Sequence, residues 1–445
     1  MRKIITPLIT LIIVFSIAGK ANAQNELLQS GPMVGYSTMR EVAIWVQTKE
    51  AATVSIRYIV EGTEEDYKYS EDVSTEKSSG YTAKIIIGNL KPGTKYSYEV
   101  LLNDEPQEFT YPLRFQTQEL WQWRGDPPGI KFAFGSCFYV NEEEFDRPGK
   151  PYGDNFEILD VLYDQSPEFM LWMGDNVYLR EADWNSRSGI MHRYTHTRSY
   201  PKLQKLLGSV HNYATWDDHD YGPDNSNRSF WNKQTTLEIF KLFWANPSFG
   251  LKGNGGMTTK FQWADVDFFL MDDRTFRSPE KRRLTAKREI LGDVQIDWLI
   301  DNLISSEAPF KFVVIGTQFL NPNASGENHA SYKEERKKIL DMIESENIEG
   351  VMFLTGDVHR SEITKLERSG SYPLYEFTIS PLTAGVSWQY PNDDRVDNKS
   401  VLERNFGLIE ISGPRDGRKL TCKSISWDGR VMWDYTIYET DLKLQ

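Results

Sequence analysis

The chain has 445 residues, with 64 acidic against 51 basic side chains and a formal charge of −13. That balance argues against nucleic acid or an anionic membrane surface as a partner, so an anionic substrate would need a local positive centre. Two cysteines, Cys137 and Cys422, are too few for a disulfide scaffold, although they can pair with each other in an oxidising compartment.

Residues 1–23 read as a secretory leader. Arg2 and Lys3 precede an apolar run that closes on Ala21-Asn22-Ala23, an A-x-A cleavage pattern. The run is shorter and more interrupted than the roughly 20 apolar residues of a spanning helix, so a membrane anchor is the weaker reading. No twin arginine precedes it and no cysteine follows to take a lipid. The mature protein is expected to begin near Gln24, to carry a charge of about −16 once the leader's three cations are gone, and to be periplasmic or secreted.

From 24 to 122 the chain alternates apolar and polar residues in short runs such as "EVAIWVQT", "ATVSIRYIV" and "KYSYEVLLN", separated by turns such as "KPGTK". This spacing predicts a small all-β sandwich of the immunoglobulin or fibronectin kind. "WRGDPPGI" then breaks the pattern with Pro and Gly and reads as a linker. From 129 to 445 short apolar strands ("KFAFGSC", "FMLWMGD", "KFVVIGTQF", "VMFLTGDVH", "YEFTISPL") alternate with segments of helical period ("NFEILDVLYDQ", "TTLEIFKLFWANP", "GDVQIDWLIDNLISS", "SYKEERKKILDMIESE"). The alternation predicts an α/β domain whose sheets are covered by helices. A β-rich tail of "FGLIEIS", "KLTCKSIS" and "VMWDYTIYE" is expected at one sheet edge.

Polar residues gather where these strands end. Cys137 ends one; Asp175, Asn176 and Tyr178 end the next; Asp217, Asp218, His219 and Asp220 follow "HNYAT"; Gln318 ends another; Asp357 and His359 end the last. Open α/β sheets place their ligand crevice at such ends. Buried carboxylates without partners are costly, so several converging on one place imply a multivalent cation. Thiolate, phenolate and imidazole suit a trivalent or borderline transition metal, whereas carboxylate and amide oxygens suit a hard divalent ion, and the pattern predicts two unlike metals side by side.

The motifs "GDNVY" at 174–178, "DHD" at 218–220 and "GDVH" at 356–359, with "GSC" ending at Cys137, resemble those of the PhoD-type alkaline phosphatases. These belong to the metallophosphoesterase superfamily of calcineurin-like and purple acid phosphatase-like enzymes. "FFLMDDRTFR" at 268–277 and "LGDVQIDWL" at 291–299 are similar to further segments of that family. The resemblance implies a two-sheet β-sandwich flanked by helices behind the small β domain. It implies that Cys137, Asp175, Tyr178 and His359 hold Fe3+, that Asp175 bridges, and that Asp218 and Asp357 hold Ca2+, with Gln318 adding an amide oxygen; Zn2+, Mg2+ or Mn2+ are the alternatives. The oxygen donors Gln318 and Asp357 favour calcium over zinc.

The same resemblance makes His219 the group that faces the substrate, with Asp220 holding its ring, and Arg360, Arg274 and Arg277 candidates to clamp phosphate. Asp217 reads as a cap or an arginine partner. His192, His196, His211 and His329 lack strand-end placement and read as core or surface residues. Asp154 reads as a helix N-cap, "PDNSN" at 223–227 as an active-site loop or turn, and the tryptophans near 184, 231 and 244 as core rather than substrate rim. The expected function is hydrolysis of small phosphomonoesters, and of diesters as well, by a monomer with no nucleic-acid scaffold and no membrane anchor. A hydroxide held by the metals is expected to attack phosphorus. The rivals are a phosphodiesterase or phospholipase D-like enzyme on the same metal core, and a surface- or carbohydrate-binding protein with structural metals.

Overall fold

The computed structural model describes residues 26–63, 66–283, 287–324 and 326–444; the expected leader lies outside them. Strands β1 (Leu28–Ser37), β2 (Val42–Thr48), β3 (Thr53–Val60), β4 (Lys68–Tyr69), β5 (Val73–Ser74), β6 (Thr82–Ile87), β7 (Lys95–Leu102), β8 (Glu105–Pro106) and β9 (Arg114–Gln116) occupy the N-terminal region. They form two sheets, β1-β2-β6 and β4-β3-β7-β8, with β5 paired to β3 and β9 to β7. Alternate residues (Val42, Ile44 and Val46; Val54, Ile56 and Tyr58; Tyr96, Tyr98 and Val100) close a core of their own between the sheets.

The chain then lays down β10 (Ile130–Gly135), β11 (Phe169–Met173) and β12 (His211–Thr215) in parallel. It crosses to a second sheet for β13 (Thr259–Trp263), β14 (Val266–Leu270), β15 (Phe310–Val314), β16 (Val351–Thr355), β17 (Ser361–Leu366), β18 (Leu374–Thr378) and β19 (Arg395–Val401). It returns to the first sheet with β20 (Asn405–Ser412), β21 (Lys419–Ser426) and β22 (Val431–Tyr438), which extend one edge in the order β12-β11-β10-β20-β21-β22. Between the sheets Phe132 stacks on Phe169 at 4.8 Å and meets Phe268 and Phe312 edge-on at 5.2 and 5.7 Å. Each such ring contributes roughly 1.5–3 kcal/mol by leaving water, which makes this layer the mould that holds the strand ends in place.

The two regions meet through hydrogen bonds that need a specific register. His211 Nδ1–H donates to the Gly35 carbonyl at 2.8 Å while its Nε2 accepts from the Gln116 amide at 3.1 Å. Trp45 Nε1 donates to the Leu242 carbonyl at 2.8 Å, and the buried Arg198 guanidinium lies over the Trp45 ring.

Two elements differ from the sequence pattern. Strand β1 carries Gly31, Pro32 and Gly35, which interrupt the alternation that marks its neighbours. The helix Arg187–Arg198 buries Arg193, Thr197 and Arg198 beside Ile190 and Tyr194, so its inner face reads as polar. Asp154 does not cap the following helix, which starts at Ile158; its carboxylate accepts the neighbouring Asn155 amide and faces Arg404 at 3.7 Å.

Candidate metal centre

Parallel strands from both sheets end at one crevice. β10 delivers Cys137, β11 Asp175, β12 Asp217 and Asp218, β15 Thr317 and β16 Asp357 and His359. To leave their strands sharply, Cys137, Asp175, Asp357 and His359 adopt positive φ of 59°, 51°, 68° and 54°. Such backbone costs on the order of 1–3 kcal/mol per residue and is tolerated where the surrounding packing enforces it. The enforcement is visible at Asp217, which is pressed from both sides. A Cβ on Gly174 (φ +96°) would stand 2.5 Å from the Asp217 Cβ, and one on Gly316 would stand 2.6 Å from its Cγ. The glycines of "MGD" and "IGT" are therefore the condition for the two sheets to close on the site.

Potential ligand atoms cluster within 4.8 Å of one another in three overlapping sets: Cys137, Asp175 and His359; Asp175, Asp218 and His219; and Asp217, Asp218 and Asp357. Asp175 is common to the first two and Asp218 to the last two. Tyr178 joins the first set through its hydroxyl, 3.1 Å from His359 Nε2. The Cys137 thiol lies 3.5 Å from Asp175 Oδ2 and accepts from the Ser380 hydroxyl at 3.1 Å. Cys137 and Cys422 are both free and buried, so no disulfide competes for that sulfur.

The electrostatics fit a cation. Burial, with Asp218 and Cys137 adding repulsion, raises the Asp175 carboxyl well above the usual range, and burial likewise raises Asp217 and Asp357. Burial also works to raise Asp218, but His219, Arg274 and the Asn225 amide overcome it and hold that group at about 2. Burial pushes the Cys137 thiol up to about 11 and the Tyr178 phenol well above its ordinary value. Asp218 Oδ1 and His219 Nδ1 are buried without a hydrogen-bond partner. Buried ligand atoms that converge from four strand ends, two of them without a hydrogen-bond partner, fit a bound cation better than they fit a packed core.

Three expectations from the sequence need correction. Gln318 is not aimed at the ligands: its amide donates to Glu362 at 2.7 Å and Thr378 at 3.1 Å and accepts from Asn321 at 3.1 Å, because the fully buried Glu362 carboxylate needs those donors. The same loop reaches the crevice through Thr317 instead, whose hydroxyl is 3.3 Å from Asp357. Asp220 does not hold the His219 ring. It accepts the backbone amides of Asn176 and Asp217 at 3.0–3.2 Å, and the carboxylates facing His219 Nε2 are Asp224 at 3.5 Å and Asp218 at 3.9 Å. Arg274 and Arg277 are spent on structure: Arg274 is fully buried against Asp217 and Glu327, and Arg277 donates to the Glu327 carbonyl at 2.6 Å while covering the Tyr332 ring. Asp217 is thus both the residue that opens the short helix Asp218–Tyr221 and the partner of an arginine.

Arg360 stays with the site. It lines a cleft of about 500 Å³ that also holds Asp175, Asp218, His219, Asp357 and His359. Its Nη2 is 3.6 Å from Glu362, the Tyr390 ring covers it at 5.0 Å, and Nε and Nη2 have no hydrogen-bond partner. The "PDNSN" turn also lines this cleft, and the Asn225 amide donates to Asp218 at 2.6 Å. His329 is buried beside Phe319, while His192 and His196 sit at the surface around Glu142. Trp244 is core, whereas Trp231 is 69% exposed.

Sequence reasoning passed over Tyr152, whose hydroxyl is 3.1 Å from His359 Nδ1, and Glu327, which faces the cleft from a loop with no motif of its own. A signal existed for the first: Tyr152 opens the "YGDN" that echoes the ligand motif.

The chain matches the PhoD-like phosphatase family over residues 132–408 and, over residues 25–119, a domain of unknown function, DUF7800. Alkaline phosphatase D of Bacillus subtilis (strain 168) is 23% identical over 350 residues, 68% of this chain and 59% of that protein. The chain thus spans about three-fifths of that relative's length. A solved structure of PhoD superposes with a TM-score of 0.75 at 16% identity, covering 94% of this chain and 90% of its own. Purple acid phosphatase PPD1 from yellow lupin (Lupinus luteus) seeds superposes with a TM-score of 0.66 at 10% identity, over 92% and 74%. With the strand-end cluster inside the matched span, these likenesses place the chain in the PhoD-like phosphatase family.

Proposed function

We propose that the protein is a metal-dependent phosphoesterase that hydrolyses small phosphomonoesters, and diesters as well, outside the cytoplasm and as a monomer. The observation that carries this reading is Asp175, one carboxylate shared between a thiol–imidazole set and a carboxylate set. Cys137, Asp175, Tyr178 and His359 would hold a ferric ion, and Asp175, Asp218 and Asp357 a calcium ion. Cations bound there supply Lewis acidity and neutralise the charge that builds on phosphorus during in-line displacement. Among the described residues no helix is long and apolar enough to cross a membrane. We read residues 24–122 as an immunoglobulin- or fibronectin-like sandwich and 129–445 as the catalytic unit.

The chain's own residues supply the rest. His219 lies with its ring tilted 4.3 Å from that of Tyr178 and stands in the cleft with Asp224 3.5 Å from Nε2, so it can donate a proton to the leaving oxygen or a hydrogen bond to the phosphoryl group. Arg360, whose Nε and Nη2 lack hydrogen bonds while Nη2 stays 3.6 Å from Glu362, offers a forked donor for a phosphate oxygen. Tyr152 fixes the His359 ring from the solvent side. The test is hydrolysis of p-nitrophenyl phosphate and bis(p-nitrophenyl) phosphate by the metal-loaded protein. Turnover of the monoester supports the reading; turnover of the diester alone favours the phosphodiesterase rival, and turnover of neither overturns it.

A further inference from the structure

We propose that a second cavity, next to the metal cleft, is a subsite for a second phosphate on the alcohol portion of the substrate, and that Arg180 binds it; this rests on the phosphoesterase reading above. The cavity measures about 910 Å³ and shares Tyr152, His219 and Asp224 with the metal cleft, so one bound molecule can occupy both.

Arg180 lines this cavity and is only 7% exposed. Its Nε is buried without a hydrogen-bond partner, and its nearest carboxylate oxygen, on the solvent-exposed Glu181, is 3.9 Å away. Asp183 is committed elsewhere: its carboxylate accepts the Arg180 backbone amide and Arg193 Nε, each at 2.8 Å. A buried guanidinium left this way is unfavourable until an anion meets it. The placement is firm, because the Tyr139 ring lies 5.7 Å from the guanidinium and the adjacent Leu179 amide donates to the His219 carbonyl at 3.1 Å.

Among the other charges on the cavity wall, Asp224 is exposed and faces His219 Nε2 at 3.5 Å. Asp146 accepts from the Tyr139 hydroxyl and the Glu142 amide, and Arg147 pairs with Glu181 at 3.2 Å. Glu143, Glu144 and Lys150 are exposed on the rim, where solvent and salt screen them. The buried charge therefore sets the preference inside, and a guanidinium fork suits a phosphate.

The experiment compares kcat/KM of the metal-loaded enzyme for 1,3-propanediol bisphosphate and for propyl phosphate. Wild type should prefer the bisphosphate, and Arg180→Gln should cut that preference by roughly 10- to 100-fold, the effect of one charge-assisted pair, with Arg180→Lys falling between. Equal rates on the two substrates in wild type, or an equal loss on both in an Arg180→Gln variant that melts like wild type, would overturn the subsite alone. Hydrolysis of neither by wild type overturns the phosphoesterase reading and the subsite with it. Thermal melting of each variant separates a folding defect from lost recognition, because a folding defect lowers both substrates together and Arg180→Lys then still reports the preference.

Discussion

On one side of Asp175 the donors are a thiol, a phenol and an imidazole; on the other they are carboxylates and a second imidazole. The first side is crowded by aromatic rings, with Tyr139 and Tyr152 packed around Tyr178. Burial keeps the Cys137 thiol at about 11, so ligation there calls for an ion acidic enough to displace protons. The second side lies against the buried Arg274 network, and Asp218 is already held ionised at about 2, ready for a hard divalent ion. The contrast teaches that one row of strand ends carries donor sets of different character, with Asp175 common to the thiol–imidazole set and a carboxylate–imidazole set.

Breaking that shared residue gives the largest effect. Asp175→Ala should release both kinds of metal and lower kcat/KM by about 1,000-fold or more, roughly 4 kcal/mol of transition-state stabilisation; near-native turnover and metal content would refute the shared role. The next pair of variants pulls the halves apart. Asp218→Asn should lose chiefly the divalent ion and Cys137→Ser chiefly the other, each with a loss of roughly 100-fold, measured by elemental analysis beside kinetics. If either variant loses both metals equally, the ligands are divided differently.

Tyr152→Phe probes the support behind His359 and should weaken metal retention about 10-fold with the fold intact, read from metal content after dialysis. The smallest effect on turnover belongs to His211→Gln, remote from both halves. Burial, against hydrogen bonds to Gly35 and Gln116, lowers His211 from 6.5 to about 4, so its neutral form contributes stability that is complete above pH 6.5 and lost as pH falls towards 4. Glu168, raised by burial from 4.5 to about 7, acts in the opposite sense over pH 4.5–7. The informative quantity is therefore the difference in unfolding free energy between wild type and His211→Gln, in which Glu168 cancels. That difference should shrink on the order of 3 kcal/mol between pH 7 and pH 4 in denaturant titrations, and a flat difference would contradict the interface role.

Much of this arrangement was legible in the sequence because strand and ligand share one grammar. An apolar run such as "FMLWM" that gives way to polar, ligand-type residues announces a buried strand that stops at a crevice, and Cys137, Asp175, Asp218, Asp357 and His359 all lie just beyond such runs. Gln318 follows it too and still turns away, since its partner Glu362 lies on a strand 44 residues further on, and only the fold brings the two together. Asp220 and Arg274 misled for a related reason. Residue type shows that a charge is present, but its partner decides whether that charge is structural or free for substrate. Arg180, with no motif around it, stands out only once its Nε is seen to lack a hydrogen bond, with Asp183 engaged elsewhere and the exposed Glu181 no nearer than 3.9 Å.

The most direct test of two unlike metals bridged by Asp175 is the visible spectrum of the purified protein before and after calcium is stripped by a chelator. A ferric ion held by Cys137 and Tyr178 would absorb visible light by charge transfer, so the account predicts a coloured protein that loses activity but keeps most of its colour. A colourless, fully active protein, or colour that leaves with the calcium, would contradict it.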